Sequence, residues 1–163
     1  GTSLKGWQGN TELWRVENGM IIGEGPDGGP VPVTEFLWHE QEFGDFVLEA
    51  EFRIHGGNSG IQYRSEALPN GRAKGYQADL DAGHQYTGIL YEASGRAILA
   101  PRGEVSRLHA DGKRTTEGFL TGTDALIEKF DTNAWHRYRI IVRGQRARHE
   151  LDGVQVCAFE DQH

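Results

Sequence analysis

The chain has 163 residues, enough for one domain with its own core, and its 37% hydrophobic and 25% charged residues are ordinary for a globular protein. A net charge of −7, with no Lys/Arg run to offset it, argues against nucleic acid and anionic lipid as partners. No apolar run approaches the ~20 residues of a membrane span, and the lone Cys157 permits neither an internal disulfide nor a cysteine-based metal site. The chain opens "GTS" with no leader visible, which leaves the compartment open.

In chain order, short runs of period-two patterning predict strands at 13–16, 20–23, 36–39, 45–55, 60–65, 76–80, 87–92, 97–100, 135–143, 146–151 and 154–159. The turn pairs Asn18-Gly19, Asp27-Gly28, Asn70-Gly71, Asp111-Gly112 and Asp152-Gly153 punctuate them. Phe46, Leu48, Ala50, Phe52 and Ile54 alternate strictly with polar residues, and Asp152-Gly153 suits a type I′ hairpin. Residues 101–134 form a polar insertion with no strong strand signal. Within it "TDALIEKF" predicts one short helix over 123–130, capped by Thr123 or Asp124. The pattern reads as an all-β sandwich of two antiparallel sheets, in which a concave sheet can host a ligand.

Two strands carry unusual polar faces. In "GGNSGIQYRS", Gln62 and Arg64 oppose Ile61 and Tyr63; in "GYQADLDAG", Gln77, Asp79 and Asp81 oppose Tyr76, Ala78 and Leu80. A solvated sheet face is the ordinary reading of such alternation. Aspartate, however, is depleted in strands, and Asp at i and i+2 sets like charges ~6.6 Å apart. Such a pair tends to raise one pKa, the arrangement that acid–base chemistry uses. The spacing also falls in the general range of glycosidase carboxylate pairs.

Other motifs are weaker. "GGNSG" lacks the Gly-Lys-Ser/Thr of a phosphate loop and the final glycine of a nucleophile elbow. It reads either as a tight turn or as a strand end that points the Asn58 amide at a ligand. A divalent cation on Asp79, Asp81 and His84 competes with a solvent-exposed loop histidine. His149 alternates with Ala147 and Leu151 and is expected inward and hydrogen-bonded. Trp7, Trp14, Trp38 and Trp135 sit in apolar patterns and are expected mostly in the core, with sugar stacking as the alternative. Tyr91 and Glu92 fall on opposite faces of one strand, so one of them can reach a groove.

The succession "GW", "LWRVENGMIIGEG", "FLWHEQEFGDFVLEAEFRI", "GGNSGIQYRS", "GYQADL", "TGILY" and "WHRYRIIVRG…LDG" resembles the 3-keto-disaccharide hydrolase family, from about Leu4 to the last residues. The resemblance implies a concanavalin-like jelly-roll sandwich acting on glycosides already oxidised to a ketone, in a periplasmic or extracellular setting. Its motif positions match Asn58, Arg64, Tyr76, Gln77, Asp81 and Tyr91. In that chemistry a carboxylate removes the acidic proton beside the ketone, the glycosidic oxygen leaves, and water adds back. Asp81 or Asp79 is expected as the base. Arg64, or a cation held by the carboxylates, is expected to stabilise the enolate, with Asn58, Gln62, Tyr76, Gln77, Tyr91 and Glu92 binding substrate. Many family members carry Glu where Gln77 stands, which keeps a non-catalytic carbohydrate-binding module as the alternative, and a scaffold sandwich without a sugar site as a third reading. The family continues with closing strands after "CAFEDQH". The expectation is therefore one domain over 1–163, without those strands and with an open sheet edge through which copies of the chain can associate.

Overall fold

The computed structural model describes residues 2–31 and 33–163, the side chain of Asn70 excepted. The chain divides into two compact units, residues 1–44 with 66–73, and residues 45–65 with 74–163.

The first unit is built from two small ribbons. β1 (Trp7–Gln8) pairs antiparallel with β4 (Trp38–His39), and β2 (Trp14–Glu17) with β3 (Met20–Gly23). Trp7 packs edge-on against His39, with ring centroids 4.7 Å apart. Of the four tryptophans expected mostly in the core, Trp7 is 36% exposed here and Trp135 of the other unit is 51% exposed. Both stand at element ends: Trp7 opens a two-residue ribbon, and Trp135 precedes its strand and lies under the Arg53 guanidinium.

The second unit carries the sandwich. One sheet has the order β6 (Asn58–Ala67), β7 (Ala73–Asp81), β8 (Leu90–Ala93), β9 (Ala97–Ala100). The other has the order β11 (Arg114–Phe119), β10 (Glu104–Leu108), β14 (Val154–Asp161), β13 (Arg146–Leu151), β12 (His136–Arg143), β5 (Phe46–Phe52). In the larger sheet the pairings are antiparallel except β10 against β14, which is parallel, so the expectation of two wholly antiparallel sheets is corrected at that pair. Strands β10 and β11 arise from the insertion that showed no strand signal. β11 is mostly exposed, and ion pairs rather than apolar alternation accompany the pairing: Arg107 to Glu117 at 3.3 Å and Arg114 to Glu104 at 3.2 Å.

The core lies between these two sheets. Tyr63, Tyr76, Ala78, Leu80, Leu90 and Leu99 face Tyr138, Ile140, Val142, Leu151, Val156 and Phe159. Period-two patterning explains the arrangement, because alternate residues of each strand bury one face and leave the other wet. The wet face of the larger sheet is laced with ion pairs, among them Arg139 to both Glu49 and Glu150 at 3.1 Å and Arg137 to Glu51 at 3.1 Å. The β13–β14 turn has Asp152 at φ 49° and Gly153 at φ 80°, as a type I′ hairpin requires. Helix α1 (Thr123–Glu128) sits where expected, but neither Thr123 nor Asp124 caps it. Gly122, at φ 84°, holds the N-cap position, and Thr123 turns inward and is buried. Leu126 and Phe130 belong to the same apolar core.

Candidate functional site

The outward face of β6 and β7 carries a continuous hydrogen-bonded row. Asn58 Nδ2 donates to Asp79 Oδ1 at 2.5 Å, and Gln77 Nε2 donates to Asp79 Oδ2 at 3.0 Å. Gln62 Nε2 donates to Gln77 Oε1 at 3.1 Å, and Ser65 Oγ donates to Gln62 Oε1 at 3.2 Å. Alternation along β7 explains the placement: Tyr76, Ala78 and Leu80 enter the core and turn Gln77 and Asp79 to the other side. Tyr91 lies directly opposite Gln77 in the β7–β8 register, so it stands on the same face.

Two glycines clear the space. A Cβ on Gly60 would sit 2.5 Å from Gln77 Cγ, and a Cβ on Gly75 would sit 2.6 Å from the Ser65 Cα. Neither close approach is open to another residue, so the row depends on a missing side chain on each strand.

Asp79 is only 4% exposed. Its donors are neutral amides rather than cations. Burial pushes its carboxyl above the usual range, the nearby Asp81 charge adds to this, and the Asn58 and Gln77 amides pull the other way. A carboxylate in that state binds a proton more readily than a surface aspartate and is better matched to accepting one.

Several expected partners stand elsewhere. Asp81 organises the following loop: its Oδ1 accepts from Gly83 N at 3.1 Å, and its Oδ2 from Gln85 N at 3.0 Å and Tyr86 N at 3.2 Å. The buried Thr87 hydroxyl closes that loop by bridging the Asp81 N–H and C=O, both at 2.8 Å. With both oxygens engaged by the backbone, Asp81 is a loop anchor rather than the open base that was expected.

Arg64 also leaves the row. Its φ of 50° interrupts the alternation of β6, and its guanidinium donates to the carbonyl of Gly144 in the β12–β13 turn. The same irregularity brings Ser65 round to the Gln62 side, a position that regular alternation denies it. No residue type in the sequence signals this, because neither Gly nor Asn stands at position 64.

Tyr76 and Glu92 lie on the core side and are likewise corrected as groove residues. The Tyr76 hydroxyl donates to Asp161 Oδ2. Glu92 pairs with Arg96 Nε at 2.6 Å, and Arg96 Nη2 reaches Asp161 at 2.9 Å. The Arg96 guanidinium holds the Glu92 carboxyl below its usual range. The structure corrects the cation set too. The His84 ring packs edge-on against Phe130 at 5.4 Å, and among the described residues no group of three or more His, Cys, Asp or Glu is placed to hold a metal ion.

The sequence matches, across residues 1–163, the family described as the 3-keto-alpha-glucoside-1,2-lyase-like domain. The chain belongs to that family. Solved structures bear on the fold of this 3-keto-alpha-glucoside-1,2-lyase-like domain. It is similar to a protein of Parabacteroides distasonis ATCC 8503 provisionally named a glycosyl hydrolase, with a TM-score of 0.63 and 18% identity over 98% of this chain and 70% of that one. It is also similar to the carbohydrate binding module CBM66 from Bacillus subtilis, with a TM-score of 0.56 and 18% identity over 97% of this chain and 81% of that one. At such identities the likeness speaks for the β-sandwich alone. None of the curated proteins matches the chain. Among the described residues no helix is long and apolar enough to cross a membrane.

Proposed function

We propose that this 3-keto-alpha-glucoside-1,2-lyase-like domain is a glycosidase-type enzyme that cleaves glycosides already oxidised to a ketone, with Asp79 as its base. The observation that carries the reading is the buried Asp79 carboxylate, held by two neutral amides on an outward sheet face. A ketone acidifies the neighbouring C–H. Asp79 takes that proton, and the C–H electron pair becomes an enolate. The enolate then expels the glycosidic oxygen, which leaves with the electron pair of the broken C–O bond. Asp79 returns its proton to that oxygen, so the products are an alcohol and an unsaturated ketone. Addition of water across the new double bond completes a net hydrolysis.

Each side-chain amide has two N–H groups. Gln62, Gln77 and Asn58 each spend one in the row, which leaves the second to donate to the ketone oxygen and the ring hydroxyls. Tyr91 supplies a ring and a hydroxyl on the same face.

The test is incubation with a 3-keto-glucoside. Aglycone release is expected, and it should fall at least ~100-fold in Asp79→Asn, as loss of a general base requires. Release that is unaffected by this substitution counts against Asp79 as the base. Saturable sugar binding without release in the unaltered protein favours the second reading, a carbohydrate-binding sandwich. That reading has its own observation: an amide, Gln77, lies beside the carboxylate where a second acid would complete a pair.

A further inference from the structure

The orientation of each amide in the row follows from chemistry once Asp79 is ionised. A carboxylate only accepts, so Gln77 must turn its NH2 toward Asp79. That leaves Gln77 Oε1 facing Gln62, which must therefore present its own NH2. Gln62 Oε1 then faces Ser65, whose hydroxyl donates. The polarity of the whole row is dictated from one end.

The far end holds a second acceptor. Ser65 Oγ lies 3.2 Å from Gln62 Oε1 and also 3.2 Å from the Tyr63 carbonyl oxygen. If Asp79 carries a proton on Oδ2, every contact in the row can run backwards over the same distances. The acid O–H donates to Gln77 Oε1, Gln77 Nε2 to Gln62 Oε1, Gln62 Nε2 to Ser65 Oγ, and the Ser65 hydroxyl swings to the Tyr63 carbonyl. Both directions leave no member of the row unpaired, which is what a buried polar network must achieve to be stable.

We propose that Ser65, Gln62 and Gln77 form a reversible hydrogen-bond relay that fits Asp79 in both of its proton states, which makes Gln62 and Ser65 positioning residues although neither touches the carboxylate. Their part in the reaction rests on the reading of Asp79 as its base: when Asp79 takes a proton from carbon, reversal of the relay accommodates the acid without breaking the row. The relay itself needs no sugar. Other groups facing Asp79 do not enter it. Asp81 acts through space and has its oxygens on loop amides, and Tyr138 of the facing sheet interacts with Asp79 only electrostatically, its hydroxyl having no hydrogen-bond partner. Asn58 donates to the other carboxylate oxygen in either state.

The experiment is an NMR titration of the full chain without sugar, following the side-chain NH2 signals of Gln62 and Gln77 and the carboxyl carbon of Asp79. All three should move with one midpoint. In Asp79→Asn the amide nitrogen at position 79 donates permanently to Gln77, so both Gln signals should sit at neutral pH where the unaltered protein places them in acid, and should no longer titrate. Ser65→Ala removes the terminal hydroxyl but not the demand that Gln77 makes on Gln62, so both Gln signals should still move together there. A Gln62 signal that stays still while Asp79 titrates overturns the relay, as do Gln62 and Gln77 signals that move with different midpoints. The unaltered protein and Asp79→Asn decide the matter even if Ser65→Ala folds poorly. Because no substrate is present, failure here is distinct from failure of the 3-keto-glucoside assay, which bears on the reaction alone.

Discussion

Asp79, the base of the proposed reaction, is a buried carboxyl whose charge works against the stability of the fold. Its folded carboxyl has a raised pKa, so the favourable contribution of this group is present below the ordinary aspartate pKa and disappears as pH rises through the folded value. Above that pH the fold holds a desolvated charge with only amides for company. Asp79→Asn should therefore melt at a higher temperature than the unaltered protein at pH 7, with the gap closing as pH falls toward 4. The replacement amide finds partners on both sides, accepting from Asn58 and donating to Gln77 once that side chain turns over. Calorimetry at several pH values checks this, and an unaltered protein that is the more stable at pH 7 rules out the burial argument. A variant both inactive and more stable is the pattern expected of a strained functional group.

At the scale of strands and helices, the two faces of the larger sheet make opposite demands. Ile140 is fully buried, so Ile140→Ala should cost about 2–5 kcal/mol in a denaturant titration. The neighbouring Arg139 points outward, its side chain 38% exposed and paired with Glu49 and Glu150, and Arg139→Ala should cost under ~1 kcal/mol. The reverse ranking would show that the ion-pair lattice, not the core, holds this sheet.

Alternation made most strands legible, because β5, β12 and β13 bury side chains with a period of two. It failed for β10 and β11, whose polar side chains resemble a loop until their cross-strand partners are known. The amide–carboxylate row was half legible. Gln62, Gln77 and Asp79 follow from register, and Asn58 from its place at the start of β6. Arg64 and Ser65 did not follow, since one left-handed residue turns both away from where alternation puts them. The loop-anchoring role of Asp81 was hidden for a different reason: a carboxylate that captures backbone N–H groups has the same sequence as one that faces a groove.

Across the whole sandwich, His149 ties the facing sheets together. Its Nε2 lies 2.8 Å from the Tyr63 hydroxyl and its Nδ1 3.3 Å from the Cys157 sulfur. Burial lowers its pKa to about 3, so the folded state keeps it neutral while an unfolded chain protonates it near the ordinary 6.5. Stability supplied by the neutral ring is complete above the unfolded pKa and is lost as pH falls from about 6.5 toward 3, at up to ~1.4 kcal/mol per pH unit. His149→Gln keeps polar groups at the site without this titration. Urea midpoints measured across that range should therefore decline less steeply in the variant, and parallel curves would assign acid sensitivity to other groups.

The parallel seam between β10 and β14 has a bearing on biosynthesis. A ribosome extrudes β10 long before the strand destined to lie beside it, and at roughly 5–20 residues per second the nascent polypeptide waits seconds with that margin bare. Closure of the larger sheet is thus a late event in the life of each newly made copy, and chaperones have that interval in which to engage it.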